Sequence, residues 1–178
     1  MTRTYRSNLT PGTALWAGRR AHWKALGLTD EEIVRPKIAI VNSSSELAIC
    51  FSHLDHVADA IKQAIRAAGA VPFEIRTTAP SDFMTSAGRG GAYILPARDL
   101  IAHDIESQVD GALLDGMVCL ASCDKTTPGQ LMAAGRMNIP AIVAICGYQA
   151  SGEWRGEHVD IEEVFLKSAH VPAGRLTV

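Results

Sequence analysis

The sequence has few cysteines, no long apolar run and no strong excess of charge of either sign. Its four cysteines among 178 residues are too scattered for the disulfide framework of a small secreted domain. A net charge of −2 gives no general attraction for nucleic acid or acidic membranes. No apolar segment is long enough to span a bilayer, and the polar N-terminus lacks the apolar core of a signal peptide. These absences predict a globular protein of the cytoplasm.

Short apolar segments alternate with amphipathic ones along the chain, and the two kinds predict strands and helices. The apolar segments predict buried strands at 37–42, 71–75, 116–120 and 139–145. Helical spacing predicts helices at 11–26, 53–68, 96–109, 127–136 and 161–168, with a capped short helix after Thr29. This alternation predicts a three-layer α/β/α fold with a mainly parallel sheet of about four strands and an N-terminal helical arm. We expect residues 1–178 to form one domain, led by a flexible segment at 1–10.

The residues with metal-binding or acid–base chemistry fall in loops that follow the first three predicted strands. These loops are 42–52, 78–91 and 122–127. Because parallel strands end at one edge of the sheet, ligands bind in the crevice outside those carboxyl ends. Cys50, Asp82 and the triplet Cys123-Asp124-Lys125 lie in these loops. We therefore predict that their sulfurs and carboxylates share one pocket at that edge.

The triplet Cys123-Asp124-Lys125 places a thiol, a carboxylate and an amine on consecutive residues between a strand and a helix. A thiolate suits a soft metal such as iron, and a carboxylate suits a hard one such as magnesium. Both residues also have ordinary structural explanations. Cys123 could be a small buried apolar residue, and Lys125 could be a solvated surface lysine. Beside a carboxylate and a metal, Lys125 could act as a base or be carbamylated into an oxygen ligand. The combination favours a metal-assisted enzyme.

The other cysteines and the loop aspartate also have ordinary structural explanations. Cys50 precedes a predicted helix, where a thiolate is stabilised, although a single cysteine is more often buried. Cys119 lies inside a predicted strand and Cys146 at the end of another, which favours the core for both. A loop aspartate such as Asp82 usually caps a turn. It becomes a hard-metal ligand only if folding brings it close to Asp124.

Gly88, Gly90 and Gly91 give the long loop after the second strand a glycine-rich character. Their spacing differs from G-x-G-x-x-G and no Gly-Lys-Ser follows, so backbone flexibility near a ligand explains them as well as phosphate binding does. A phosphate- or nucleotide-binding domain is therefore a third, weaker possibility. His53 fits two roles equally, a support for a nearby ligand or a structural histidine at the start of a helix.

The segment from Cys123 to Gly129 resembles the cluster motif of the dihydroxyacid and sugar-acid dehydratases. Further segments similar to that family are Leu131 to Ala134, Asn138 to Pro140, Ile38 to Leu54 with Cys50, Ser81 with Asp82, and Tyr93 to Ala102. Phe83 stands where the family usually has a glycine, which changes the shape of the loop next to Asp82. The resemblance extends over most of the chain, and the Cys-Asp-Lys-x-Thr-Pro signature is specific.

The resemblance implies dehydration of a 2,3-dihydroxy acid or a sugar acid to a 2-keto acid, with an iron–sulfur cluster and Mg²⁺ as cofactors. It implies that Cys50 and Cys123 bind the cluster. It also implies that Asp82, Asp124 and a carbamylated Lys125 bind Mg²⁺. A cysteine at position 50 is typical of members with a [2Fe-2S] cluster. The chemistry is consistent, because hydroxide is a poor leaving group and a Lewis acid stabilises its developing charge.

Members of that family are much longer than this chain, and the resemblance places their third cluster cysteine and their base further along. It therefore implies that the isolated chain is inactive and needs a C-terminal dehydratase domain or subunit as its partner. The chain would then be a fragment, a split subunit or a remnant. The alternative is a non-catalytic subunit or interaction module that retains the fold. Apolar surface left bare by the missing part also predicts a homo-oligomer.

Overall fold

A four-stranded parallel sheet lies at the centre of the computed structural model, which describes residues 4–177. Its strands are β1 (Lys37–Asn42), β2 (Val71–Arg76), β3 (Gly116–Ala121) and β4 (Ala141–Ile145). Their spatial order is β2-β1-β3-β4, and every neighbouring pair is parallel. The predicted α/β class, the parallel sheet of four strands and the N-terminal helix are confirmed.

Helices precede, connect and follow these strands. They are α1 (Ala14–Ala25), α2 (Asp30–Ile33), α3 (Leu54–Ala67), α4 (Asp82–Thr85), α5 (Pro96–Ile105), α6 (Thr126–Met137) and α7 (Ile161–Ser168). A 3₁₀ helix spans Gly88–Tyr93, and a π-helical turn at Glu106–Asp110 continues α5. An antiparallel hairpin of β5 (Gly152–Trp154) and β6 (Glu157–Val159) lies between β4 and α7.

The first two helices begin at side chains that satisfy their free backbone N–H groups. The Thr13 hydroxyl accepts a hydrogen bond from the N–H of Trp16 (3.2 Å). Thr29 and Glu32 form a reciprocal capping box, with each side chain accepting from the backbone N–H of the other (3.2 and 2.8 Å). Such caps allow the start of a helix to be predicted from sequence, because threonine is common at the N-cap position and glutamate is common three residues later.

The sheet separates two apolar layers. On one face, α5 and α6 cover β1 and β3, and Ala39 and Val41 pack with Ile101 and Ile105. These two helices approach closely at Gly129, where a Cβ would lie 2.8 Å from Ile101. On the other face, α3 and the turns before it supply a second cluster; its buried members are Ile40, Cys50, Phe51, Leu54, Ala58, Ile65 and Leu120. Because helices cover both faces, β1 is apolar from Ile38 to Val41, as expected of a central parallel strand, and only its end residues Lys37 and Asn42 are polar.

The N-terminal segment is fastened to the end of the sheet opposite the carboxyl ends of the strands. The backbone N–H and hydroxyl of Ser7 donate to the Asp115 carboxylate (3.0 and 2.6 Å), which also accepts from the N–H of Lys37 (2.7 Å). Ser7 is fully buried. Of the segment predicted to be a flexible lead, residues 1–3 lie outside the described residues.

The structure differs from the predicted elements in three details. The segment 78–91, predicted as a loop, contains α4 and the beginning of the 3₁₀ helix. The helix predicted to reach Val109 is α-helical only to Ile105, and the β5–β6 hairpin was not predicted. These elements have between three and six residues, too few to produce a periodic apolar pattern. Within residues 4–177, none of the helices has the length and apolar character required to cross a membrane.

Candidate metal centre at the carboxyl edge of the sheet

Two cysteines meet where β1 and β3 end. Cys50 lies in the turns between β1 and α3, and Cys123 lies between β3 and α6. Both pack in the apolar cluster on the α3 side, with Cys50 buried and Cys123 half-buried. Burial raises the pKa of the Cys50 thiol to about 12, and the neighbouring Cys123 thiol and the Asp82 carboxylate act in the same direction. The structure therefore brings the two thiols together, with Cys50 as the inner one.

Thr126 fixes the backbone around Cys123. Its hydroxyl accepts hydrogen bonds from the N–H groups of Cys123 (2.8 Å) and Ser122 (3.1 Å). It also donates to the Cys123 carbonyl (3.0 Å). Thr126 is the first residue of α6 and is fully buried. One side chain thus satisfies backbone groups that the turn from strand to helix would leave unpaired.

The loop after β4 supports the loop that carries Cys123. The Cys146 N–H donates to the Ala121 carbonyl (2.8 Å), and the next residue, Gly147, lies directly on the backbone of Ser122. The Nε2–H of His53 donates to the Cys146 carbonyl (2.7 Å). Because a carbonyl can only accept, this bond fixes the tautomer of His53. His53 therefore ties the start of α3 to the loop after β4, which contacts the loop that carries Cys123.

The acidic side chains meet around Lys125. The Lys125 Nζ lies 3.2 Å from Oδ2 of Asp82 and forms a close ion pair with Asp124. Its side chain is only 12% exposed, whereas that of Asp124 is 65% exposed and faces the solvent side of the site. The other oxygen of Asp82, Oδ1, is buried and makes no hydrogen bond to any of residues 4–177. A buried carboxylate oxygen without a partner is unfavourable unless a cation or an ordered water completes it.

A cleft with a volume of about 790 Å³ opens over these residues. Asp82, Cys123 and Asp124 line it together. One wall is formed by Phe83 and Phe165, whose rings meet edge to face with their centroids 4.9 Å apart. The cleft therefore reaches from the carboxylates to the exposed side of Cys123, while Cys50 lies buried behind it.

The donor groups at this edge meet only part of the requirements of a metal ion. Within residues 4–177, no three His, Cys, Asp or Glu side chains are arranged to hold a metal ion. Two thiols and two carboxylates are nevertheless grouped at one edge, and one carboxylate oxygen lacks a partner. Thiolates suit iron, and carboxylate oxygens suit Mg²⁺. The residues therefore fit part of an iron–sulfur site and part of a magnesium site, and complete neither.

The remaining predicted residues have structural roles. Cys119 is fully buried in β3, as predicted, and burial raises the pKa of its thiol to about 12. Cys146 is half-buried, packs against the cluster that contains Cys50, and donates its S–H to the Ala144 carbonyl (3.3 Å). Gly90 lies against the Thr85 carbonyl, which a Cβ would approach to 2.2 Å. Close packing of α4 on the 3₁₀ helix thus accounts for this glycine without a phosphate.

Sequence reasoning missed several residues of the site. Gln149, Glu162 and Phe165 line the cleft but come from segments far along the chain from the predicted loops. Gly147 was not singled out either, although a glycine directly after a buried strand is a signal of close backbone approach. Thr126 carried a detectable signal, because a threonine at the start of a helix is a frequent hydrogen-bond partner of the backbone.

Comparison with known proteins gives a consistent result. A family model described as dihydroxy-acid/6-phosphogluconate dehydratase N-terminal matches residues 35–178. Dihydroxy-acid dehydratases of Pyrococcus abyssi, Pyrococcus furiosus and Methanococcoides burtonii are 44%, 42% and 46% identical to the chain over 161, 161 and 149 residues. These alignments cover 90%, 90% and 84% of this chain, but only 29%, 29% and 27% of the three relatives.

The chain therefore spans less than a third of the length of these curated relatives. The matched segment nevertheless includes the loops that carry Cys50, Asp82 and the triplet Cys123-Asp124-Lys125. With the matched region extending over most of the sequence, the chain belongs to the dihydroxy-acid/6-phosphogluconate dehydratase family and corresponds to the N-terminal part of its members.

Proposed function

We propose that this chain is the cluster- and metal-binding N-terminal part of a hydro-lyase that converts a 2,3-dihydroxy acid or a sugar acid to a 2-keto acid. The observation that supports this most directly is the grouping of Cys50, Cys123, Asp82 and Asp124 at one edge of the sheet. A site with soft and hard donors side by side suits two different metal cofactors. In the proposed dehydration, one cofactor would act on the leaving hydroxyl and the other on the carboxylate.

Cys50 and Cys123 would supply two thiolate ligands to an iron–sulfur cluster, and the cysteine at position 50 supports the [2Fe-2S] type. When bound, the cluster and Mg²⁺ supply Lewis-acid stabilisation of the leaving 3-hydroxyl and of the substrate's carboxylate and 2-hydroxyl. The chain's own contribution is a rigid frame. The Thr126 hydroxyl makes two hydrogen bonds to the Cys123 backbone and one to the Ser122 N–H, so the loop that carries the thiol is held in place before any cofactor binds.

Asp82 and Asp124 would bind Mg²⁺, and the unpartnered Oδ1 of Asp82 is the oxygen available for it. The ammonium group of Lys125 now lies between the two carboxylates and balances their charge. Carbamylation of Lys125 would remove that positive charge and add oxygen donors at the same place. Without carbamylation, Lys125 would act as a base only in its neutral amine form, after release of the ammonium proton. Both roles need its side chain buried beside the carboxylates.

The missing donors would come from a partner. Because the chain spans about 29% of its relatives' length, we propose that a C-terminal dehydratase domain or subunit supplies the third cluster ligand and the remaining part of the substrate site. On this proposal the isolated chain does not turn over substrate. A homo-oligomer of the complete assembly and a location in the cytoplasm stay predictions.

Anaerobic reconstitution tests the proposal. The chain is mixed with iron, sulfide, Mg²⁺ and the part of the Pyrococcus abyssi dehydratase that follows the matched segment. A visible charge-transfer absorption and a 2-keto acid product from a panel of 2,3-dihydroxy acids are expected, and neither from the partner alone. Cys123→Ser removes both signals. Cys146→Ser, which alters a thiol of the same apolar cluster, keeps both and serves as the matched control.

Two results separate the proposal from its alternatives. A charge-transfer absorption that needs Cys123, without keto acid from any substrate, would assign the chain to a non-catalytic subunit that retains the fold. The absence of absorption and product from a folded mixture would reject the enzyme function of this chain altogether.

A further inference from the structure

β4 forms an open edge of the sheet. It pairs with β3 on one side, and the structure of residues 4–177 has no strand on its other side. Ile142 is 64% exposed and Ile145 is 75% exposed, although both belong to an apolar strand. A strand of a parallel sheet is normally covered on both faces. β4 therefore differs from β1 and β3, whose apolar side chains are mostly buried.

The hydrogen bonds to β3 show which backbone groups of β4 are free. The Pro140 carbonyl accepts from the N–H of Met117 (3.0 Å), and the Cys146 N–H donates to the Ala121 carbonyl (2.8 Å). In a parallel strand, both backbone groups of a residue point to the same side, and successive residues alternate. The even-numbered residues from 140 to 146 therefore face β3. The N–H and carbonyl groups of residues 141, 143 and 145 point away from the sheet.

One face of β4 also lacks a helix. Ile142 is in register with Val118, and both lie on the face that α3 covers further along the sheet. α3 packs on β1 and β2, whereas α6 packs on β3 and β4 from the opposite face. In the part of the chain that the structure describes, the α3 side of β4 is therefore open. An exposed apolar side chain such as Ile142 on a sheet face is typical of a surface that another polypeptide covers.

β4 has none of the features that usually protect a free edge. Free edges are kept from pairing by a charged side chain, a proline within the strand or a bulge. The residues of β4 are only alanine, isoleucine and valine, and its register with β3 is unbroken from Ala141 to Ile145. A regular and uncharged edge of this kind is suited to accept another strand.

We propose that this edge is the docking surface for the polypeptide that corresponds to the rest of the relatives, which adds a strand beside β4 and covers Ile142. This inference rests on the proposed function, since that function requires such a partner. The relatives carry more than two thirds of their length outside the matched segment, so that part must contact this domain somewhere. Because β4 ends at the loop that supports Cys123, a strand beside it would have one of its ends at the same edge as the site.

A binding experiment with matched variants tests this surface. The chain is titrated with the part of the Pyrococcus abyssi dehydratase that follows the matched segment, and the dissociation constant and the mass of the complex are measured. Ile142→Lys places a charge on the open face. Ala141→Pro removes an outward N–H that has no partner in the sheet, a position where an edge strand tolerates proline. Leu15→Lys on α1, where the residue is 77% exposed, is the control.

Both edge variants are expected to weaken the complex by at least about tenfold, while the control binds like the wild type. Hydrogen exchange of the unaltered chain provides an independent readout. The amides of residues 141, 143 and 145 should become protected in the complex, whereas those of 142 and 144 are already protected by β3. Keto acid is assayed in the same samples after anaerobic reconstitution with iron, sulfide and Mg²⁺. A complex that depends on Ile142 but makes no product rejects the proposed function and keeps the docking surface.

The other outcomes overturn the inference. A complex that forms equally with both edge variants places the partner elsewhere. A dimer of this chain that is lost in Ile142→Lys, without a mixed complex, shows that a second copy occupies the edge. Free exchange of the three outward amides in a mixture without any complex shows that the edge stays open.

Discussion

Gly147 lies so close to the Ser122 carbonyl that a Cβ at position 147 would stand 1.6 Å from the Ser122 oxygen. No side chain can be accommodated at that separation without movement of the backbone. Ser122 is followed directly by Cys123, so the loop after β4 supports the loop that carries the outer thiol. The contact joins two loops at neighbouring strand ends. A substitution that disturbs it should therefore displace the candidate site before other parts of the fold.

Gly147→Ala should therefore destabilise the chain and displace the Cys123 loop. The added methyl group overlaps backbone atoms, and such overpacking typically costs about 1–3 kcal/mol. Urea unfolding measures the loss of stability, and the rate of Cys123 alkylation reports movement of the loop. Gly152→Ala is the control, because nothing lies within 4 Å of the added Cβ, and it should change stability by less than about 0.5 kcal/mol. Equal effects of the two substitutions would contradict the prediction.

Thr126→Val should destabilise the turn between β3 and α6 more than Thr127→Val does. Valine has the shape of threonine but leaves the partly buried N–H groups of Ser122 and Cys123 without their acceptor. An unsatisfied buried group costs about 1–3 kcal/mol. The Thr127 hydroxyl makes one bond, to the Cys123 carbonyl at 3.3 Å, so its loss should cost about 0.5–1.5 kcal/mol. Urea unfolding compares the two, and faster exchange of the Cys123 amide should appear only in Thr126→Val.

The sequence contained enough information for the main elements of the fold. β1 and α7 begin and end as predicted, because both carry an apolar pattern over a whole element. α4 and the β5–β6 hairpin could not be predicted, since segments of three or four residues give no period and depend on tertiary contacts. The edge at which the site lies was also predictable, because all carboxyl ends of a parallel sheet meet there.

Individual contacts within the site were less predictable. The family resemblance implied that Asp82 and Lys125 lie at one site, but not that they form a direct ion pair across 43 positions of the chain. The support of the Cys123 loop by Gly147 depends on the distance between two backbones, which a single sequence does not encode in any local pattern. The loops that carry the metal-binding and acid–base residues could therefore be predicted from sequence. The distances and contacts between those residues could be obtained only from the structure.

Asp82→Asn should remove the response of the reconstituted complex to Mg²⁺. The buried Oδ1 of Asp82 has no partner, so a bound cation would gain a carboxylate oxygen that nothing else occupies. A ligand at 100 times its dissociation constant stabilises a folded protein by about 2.7 kcal/mol. The wild type should thus melt at a higher temperature in saturating Mg²⁺, and Asp82→Asn should not. Asp99→Asn, an exposed carboxylate on α5, should keep the response; its loss there would show a general charge effect.

Lys37 gives a prediction about pH that does not involve the candidate site. Its side chain is fully buried, and its Nζ donates to Asn8 Oδ1 (3.0 Å) and to the carbonyls of Arg35 (2.7 Å) and Ile33. The ammonium also lies 4.5 Å from the centre of the Trp23 ring. Burial nevertheless lowers the pKa of Lys37 from 10.5 to about 8, because the charged form loses its hydration.

The stability of the wild type relative to Lys37→Met should therefore rise between pH 8 and pH 10.5. Below pH 8, Lys37 is charged in both states, and the folded state carries the full penalty of burying that charge. Between the two pKa values, the unfolded chain binds a proton that the folded chain has released, so the free energy of unfolding increases by at most about 1.4 kcal/mol per pH unit. Urea unfolding of both proteins across this pH range measures the difference between their free energies of unfolding. Tyrosines and cysteines titrate in both proteins, so their contributions cancel in that difference. A flat difference would mean that the three oxygen acceptors keep Lys37 charged throughout, with a pKa close to its ordinary value.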